Sequence, residues 1–461
     1  MGESRQTCQY SNEENFLNNA TWHNLAPFWK RVAHKSLLYA MLSCILAVWI
    51  VQGIVLAGWF IPMVGVSLVA FFPFIFIVNI YATAWFVHLS VQCHRSQNST
   101  TSAYVFPYVP WGLIQCWKVN KFLYVCLGEL RHCMGFVLYW TRTLTTPRRN
   151  KFSSCTTVSY ASPESLKQLD VYPALVSKGP SDERHNMRKQ RGVPVLVFVP
   201  SMSSLHTFTS HRKTYTMLGQ HWQKMGCCVV VPSISQYPDA RIPESVMDLR
   251  KVLNWTGAHS AEYGGDPSRI YLMGFGLSAH LITLTLVQEA AVMSRTLFTS
   301  DRDMKYRAAL QKLVMYAPQT KIPNLEGVIL LSGTSDVIKA CRREKELGLE
   351  HLSMLRPSLG PTQEQCMLHS PAHLLVESKG IFDATFLPLK FLLIHGGRDA
   401  IVPIEQSVVL QSLLREAGVK QVDLLAYRTM GHMEALLCLL LPTRNASHTQ
   451  LISNALCNFI V

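Results

Sequence analysis

Residues 264–281 read Gly264-Gly265-Asp266-Pro267-Ser268-Arg269-Ile270-Tyr271-Leu272-Met273-Gly274-Phe275-Gly276-Leu277-Ser278-Ala279-His280-Leu281. The pattern changes in the middle. Ile270–Met273 is a short apolar run, as a strand buried on both faces requires. From Leu277 a largely apolar run continues to Met293 with no Gly or Pro, too long for an ordinary strand and suited to a helix. Gly274 and Gly276 lie between the two and mark a sharp turn. A strand turning directly into a helix is the building unit of a parallel sheet clothed in helices.

The same alternation runs outward in both directions. Upstream, Val193–Val199 (VPVLVFV) and Cys227–Val231 (CCVVV) are buried strands. His211–Met225, stopping at Gly226, and Pro243–Ala258 are helices. Downstream, Val328–Leu331, Phe391–Ile394 and Val422–Ala426 are further buried strands, and Pro403–Ala417 is the helix before the last of them. The expected fold class is α/β, a mostly parallel sheet with helices on both faces. Long insertions, read as helical caps, are expected at 294–326 and 336–388. Thr145–Ser165 and Ser177–Gly192 read as loops, rich in Ser, Pro, Gly and charge.

The chain has 461 residues with 49% apolar and 16% charged side chains, the latter well under the about 25% of a soluble domain. The deficit has a local source. Ser36–Cys93, 58 residues, contains no Asp, Glu, Lys or Arg. A spanning helix needs about 20 residues, so this run fits a two-helix transmembrane hairpin with its turn at Gly58–Pro62. Lys30, Arg31 and Lys35 precede it and Arg95 follows, so both ends are expected in the cytosol. From Lys30 to Lys151 there are eleven Lys/Arg and one acid, Glu129, a juxtamembrane excess that favours an anionic leaflet. Residues 111–144 read either as an interfacial amphipathic helix or as a helix packed on the soluble domain. The expected organisation is a cytosolic segment (1–35), the hairpin (36–93), a basic juxtamembrane region with linker (94–165) and the α/β domain (166–461).

Several classes are excluded. Thirteen scattered cysteines with no CxxC pair are neither a disulfide framework nor a zinc site, and no cofactor is expected. Of the net +14, residues 1–151 carry twelve Lys/Arg and four acids. That concentration is a membrane-flank pattern rather than a nucleic-acid stripe. The sequons at Asn19, Asn98, Asn254 and Asn445 matter only in lumenal segments, which the charge rule does not predict. Gly2 is a poor myristoylation candidate, because Gln6 stands where that motif takes Ser or Thr.

The stretch 264–281 resembles, without a gap, the GGD-x-x-RI-x-L-x-GHSAGAHL segment of carboxylesterase families that include prenylcysteine methylesterase and kynurenine formamidase. The resemblance implies an α/β-hydrolase fold over roughly Leu166–Leu440. It also implies a G-x-S-x-G nucleophile turn. Here the nucleophile position falls on Gly276, and the second turn glycine on Ser278. A glycine offers no atom for a histidine to activate. The family's HGG oxyanion loop would follow the strand ending at Val199, but the residues there are Pro200-Ser201-Met202, and Pro200 lacks an N–H. Two family positions are retained. His395-Gly396-Gly397-Arg398-Asp399 matches the loop that supplies the acid, Asp399. Met430-Gly431-His432 matches the turn that supplies the base, His432. His280 and His211 are weaker candidates, expected to be structural. Leu169–Tyr172 matches the first strand of the family fold, and Leu330–Gly333 with Glu346–His351 its cap region.

Three readings follow. The first is a catalytically impaired, membrane-anchored hydrolase-fold protein that binds a lipid, a prenylated ligand or a protein partner in the old pocket. The second is an active carboxylester hydrolase using Ser278, or a serine among Ser201–Ser204, with Asp399 and His432. The third is a scaffold subunit of a membrane complex. Two positions along the helix, Ser278 is expected to point roughly 200° away from the Gly276 direction. By resemblance to the methylesterases the membrane is that of the endoplasmic reticulum, with the hydrolase-like domain in the cytosol.

Overall fold

Among the described residues seven of the eight strands are five to seven residues long, and the central ones are mostly Val, Leu, Ile and Phe with both faces buried. Such runs cannot stand at a wet surface, so they stack edge to edge between two helical layers. The computed structural model describes residues 155–161, 167–175, 192–201, 212–237, 240–297, 304–313, 322–349, 353, 355–360, 362–440 and 447–460, and helical residues 43, 46, 47, 50, 73, 74, 76–84, 114 and 116–125. The chain divides into two units, Met1–Lys121 and Phe122–Val461.

The second unit holds one eight-stranded sheet. Its strands are β1 (Thr156–Ser159), β2 (Gln168–Tyr172), β3 (Val195–Val199), β4 (Cys228–Pro232), β5 (Ile270–Phe275), β6 (Gly327–Leu331), β7 (Lys390–Gly396) and β8 (Gln421–Tyr427). The order is β1-β2-β4-β3-β5-β6-β7-β8. β1 and β2 are antiparallel additions at one edge, and β4 through β8 run parallel.

Alternate residues serve opposite layers, as a period of two requires. Val195, Val197, Leu272, Val328 and Leu393 face one core. That layer contains α2 (Ile242–His259), α3 (Leu277–Leu297), α4 (Met304–Leu313), α8 (Pro371–Glu377) and α9 (Glu405–Glu416). Leu196, Phe198, Met273, Ile329 and Ile394 face the other core. Its helices are α1 (Thr216–Lys224), α10 (His432–Leu440) and α11 (Ser447–Ile460). Each Val or Leu so buried contributes roughly 1.5–3 kcal/mol. Among the described residues α3 alone is long and apolar enough to cross a membrane. Here it is the central core helix, packed on α2, α4, α8 and the sheet.

The structure amends the sequence reading in four places. Thr156–Ser159, inside the expected linker, is strand β1; Thr157 Oγ1 donates to the buried Asp170 of β2 at 2.7 Å. Its four residues are too few and too polar to show an apolar alternation. β8 is an edge strand with exposed positions rather than a fully buried one. His211–Met225 is a 3₁₀ turn, Arg212–Tyr215, followed by α1. Of the expected caps, 336–388 holds α5 (Val337–Glu346), α6 (Leu355–Leu359), α7 (Gln363–Leu368) and α8. α8 packs between α3 and α9, so this insertion supplies part of the layer itself.

The hairpin expected at 36–93 lies largely outside the described residues, as does all of 126–154. In the first unit, residues 73–84 (bar 75) and 116–121 are helical. Asn120 Nδ2 donates to the carbonyls of Ile80 at 2.9 Å and Cys116 at 2.8 Å.

Arg250 of α2 and Glu289 of α3 pair at 2.5 Å with both residues under 9% exposed. Removing one partner strands a buried charge, a loss of about 3–5 kcal/mol. Glu289→Ala should therefore lower the urea midpoint far more than Lys379→Ala, whose pair with Glu416 is exposed and worth about 0–1 kcal/mol. Equal midpoint shifts would count against this.

Candidate active site

The carboxyl ends of β5, β7 and β8 carry the residues that the sequence singles out. After β7 the chain reads Gly397-Arg398-Asp399, and it meets the turn after β8 at close range. A Cβ on Gly396 would lie 2.3 Å from the Met430 carbonyl oxygen, so only glycine allows the approach. Gly397 N donates to Tyr427 O at 2.9 Å and Arg398 N to Met430 O at 3.0 Å. These bonds lock the two loops together.

Asp399 is thereby delivered to His432. Its Oδ1 accepts from the backbone N–H of Ile401 at 3.0 Å and of Val402 at 2.7 Å. Its Oδ2 accepts from His432 Nδ1 at 2.6 Å. The Asp399 side chain is wholly buried, and that of His432 is 8% exposed. Burial alone would raise the Asp399 pKa, yet the cation-capable ring of His432 and the hydrogen bonds from His395 and His432 outweigh it. The carboxyl is held well below the usual carboxylate range. An acceptor at Nδ1 puts the ring proton there and leaves the Nε2 lone pair as the basic site.

The ring is fixed from two further sides. Phe275, the last residue of β5, packs on it with centroids 4.7 Å apart. His395 lies behind the carboxylate. Its Nε2 is 3.4 Å from Asp399 Oδ2 and 2.9 Å from Val402 O, and its Nδ1 is 2.6 Å from Ser407 Oγ. Neither residue was singled out for a role in the sequence. His395 could have been, because it opens the quoted HGGRD run.

Gly276 forms the turn between β5 and α3 with φ +61°, a conformation open mainly to glycine. Its N–H donates to Leu331 O at 2.9 Å. A Cβ placed there would have His432 Nε2 as its nearest neighbour, at 3.9 Å. The turn and the dyad therefore face each other. Among the described residues no hydroxyl or thiol hydrogen-bonds to His432 Nε2.

Ser278 is committed elsewhere. It is fully buried, and its Oγ donates to the carbonyl of Pro200 at the end of β3. This fits the direction expected from helical geometry. Ser201 is also buried, and its N–H donates to Tyr215 Oη at 3.2 Å. Met202, Ser203, Ser204 and His211 lie outside the described residues. His280 is fully buried with Nδ1 3.1 Å from Thr334 O; burial pushes its pKa down to about 4. Among the described residues no cluster of three His, Cys, Asp or Glu could hold a metal. A cavity of about 310 Å³ lies among Leu286, Met293, Ile322, Leu325, Phe386 and Leu387. Ile322, Leu325, Phe386 and Leu387 precede β6 and β7, so the cavity is at the amino ends of these strands, away from the dyad at their carboxyl ends.

The strand order, the turn after β5 and the Asp–His pair after β7 and β8 are those of the α/β-hydrolase fold. A family model described as BD-FAE matches residues 184–414. The chain belongs to the BD-FAE family. It is also similar to a protein named "Probable isoprenylcysteine alpha-carbonyl methylesterase ICMEL1" from Arabidopsis thaliana, 24% identical over 270 residues, 59% of this chain and 49% of the relative. The esterase LipC of Mycobacterium tuberculosis is 23% identical over 239 residues, 52% of each chain. The chain spans about half the length of the curated relatives it matches. Among solved structures, esterase B of Lactobacillus Rhamnosis aligns with a TM-score of 0.49 at 15% identity, covering 76% of this chain and 96% of that one.

A carboxylate whose pKa is depressed by folding stabilises the native state above its unfolded value of about 3.9. That contribution falls away as the pH drops toward the folded value. Asp399→Asn should thus cost most stability at pH 7 and somewhat less at pH 3, where the contribution has begun to fall. Urea midpoints of both proteins at the two pH values test this. A difference that does not narrow at pH 3 would contradict the burial-and-pairing account of Asp399.

Proposed function

We propose that this chain is an esterase-family protein, methylesterase-like in ancestry, that has lost acyl-enzyme chemistry while retaining the site for an ester or lipid ligand. One observation carries the reading. His432 Nε2, backed by buried Asp399, faces the Cβ direction of Gly276 at 3.9 Å, and no side chain stands there. A covalent mechanism needs a nucleophile at that point. Ser278, the nearest alternative in sequence, spends its proton on Pro200. The oxyanion side is altered too, since Pro200 has no N–H and that of Ser201 is bonded to Tyr215.

We further propose attachment to a membrane through residues 36–93, with the hydrolase domain in the cytosol. The uncharged run supports this. So do the exposed Phe74, Phe76, Ile77, Ile114 and Trp117 of the first unit, an apolar surface that water would not favour. Resistance of the chain to alkaline carbonate extraction from membranes is the expected result. Release into the supernatant would remove this part of the proposal. The endoplasmic reticulum is the compartment we favour, by likeness to the methylesterases, and an ester-bearing, prenylated or other lipid tail is the ligand class.

A fluorophosphonate probe reports an activated serine directly. Wild type should remain unlabelled. Gly276→Ser should gain labelling, because the new hydroxyl would reach His432. Labelling of wild type that Ser278→Ala abolishes would replace this reading with that of an active serine esterase.

A further inference from the structure

Among the described residues a Cβ placed on Gly276 would have only His432 Nε2 within 4 Å beyond its chain neighbours, so the turn leaves an opening beside an oriented base. We propose that this opening seats a water molecule that His432 deprotonates for direct attack on a bound ester carbonyl, so that the site hydrolyses activated esters in a single displacement. The inference rests on the reading that no side-chain nucleophile acts here, and adds to it a nucleophile of another kind.

Three observations converge on the seat. A Cβ on Gly276 meets His432 Nε2 at 3.9 Å and nothing closer. An atom one bond beyond that Cβ falls within hydrogen-bond reach of Nε2, and a water oxygen can occupy the same place. Second, the base is oriented without help from a serine. Asp399, His395 and Phe275 fix the ring and its tautomer between them. Third, the neighbouring strand end has an unused hydroxyl. Ser332 follows β6, whose Leu331 carbonyl accepts the Gly276 N–H, and its own N–H donates to Ile394 O of β7 at 2.9 Å. It is fully buried and stands at φ +46°, the one non-glycine residue at positive φ among those described. Its Oγ has no hydrogen-bond partner among the described residues. Strained backbone concentrates at functional sites, and a buried water takes two to four polar partners. His432 Nε2 supplies one, and the unpartnered Ser332 Oγ at the adjoining strand end is the candidate for a second.

The chemistry balances without any cofactor. The water oxygen bonds to the ester carbonyl carbon as one of its protons passes to His432 Nε2. The carbonyl oxygen takes the negative charge near the first amides of α3, which have no intrahelical acceptor. Collapse breaks the bond to the alkoxide, which takes the proton from His432. The products are a carboxylic acid and an alcohol, and His432 is again neutral.

The test uses the full chain in detergent with p-nitrophenyl butyrate. We expect p-nitrophenol release to be linear from the first turnover, with no burst, on protein that the fluorophosphonate leaves unlabelled. His432→Ala should lose about 100-fold or more of the rate above buffer. Gly276→Ala, which fills the seat at some cost in backbone strain, should lose the same activity on protein that circular dichroism shows to be folded. Ser332→Ala should lower kcat with KM unchanged, since Ser332 positions water rather than ester. A wild-type rate equal to buffer, or one unaffected by His432→Ala or Gly276→Ala, overturns the water step and leaves the preceding reading standing. A stoichiometric burst together with labelling overturns both. An unchanged kcat in Ser332→Ala overturns the role given to that hydroxyl.

Discussion

The bond between Asp399 Oδ2 and His432 Nδ1, 2.6 Å long and almost wholly shielded from water, constrains this end of the molecule more than any other contact. A buried carboxylate is tolerated only when paired and hydrogen-bonded. Asp399 meets that condition four times over, through Ile401 N, Val402 N, His395 and His432. Each partner demands something of the backbone. The two amides need a tight turn after Asp399. His432 needs the loop after β8 to pass within touching distance of β7, which Gly396 permits by having no Cβ. In the proposed reading this arrangement serves to position a base.

The other half of the site follows from the turn after β5. Gly274 lies so close to α3 that a Cβ there would come within 2.6 Å of Ile282 Cδ1 and 3.0 Å of the Ser278 backbone. The strand therefore has to swing into the helix at Gly276, which presents its Cβ direction to His432 Nε2. Ser278 is turned toward β3, where its hydroxyl ties the start of α3 to Pro200. In this turn the serine cross-links the scaffold, while the position facing the base is bare. Family membership and retained dyad on one side, and a bare turn on the other, are what the proposed function has to reconcile.

Much of this was legible in the residues. The parallel strands stood out because both their faces are buried, which makes them continuous apolar runs. Asp399 and His432 could be named because each sits in a short strand-end motif that resembles the esterase families. The direction of Ser278 followed from helix geometry alone. Other features were hidden for physical reasons. β1 is held by pairing and by Thr157–Asp170 rather than by an apolar pattern. β8 lies at an edge, so its burial is mixed. The stacking of Phe275 on His432 and the orphaned hydroxyl of Ser332 depend on which strands become neighbours, and a linear pattern does not carry that.

The central claim is that His432 stands as a poised base before a turn with no nucleophile. The tautomer and partners of that one imidazole test it most directly. In ¹⁵N-histidine-labelled protein at neutral pH, the account predicts a His432 Nδ1–H proton shifted downfield by the Asp399 bond, an unprotonated Nε2, and loss of the downfield signal in Asp399→Asn. A proton on Nε2 instead, or a signal indifferent to Asp399→Asn, would contradict it.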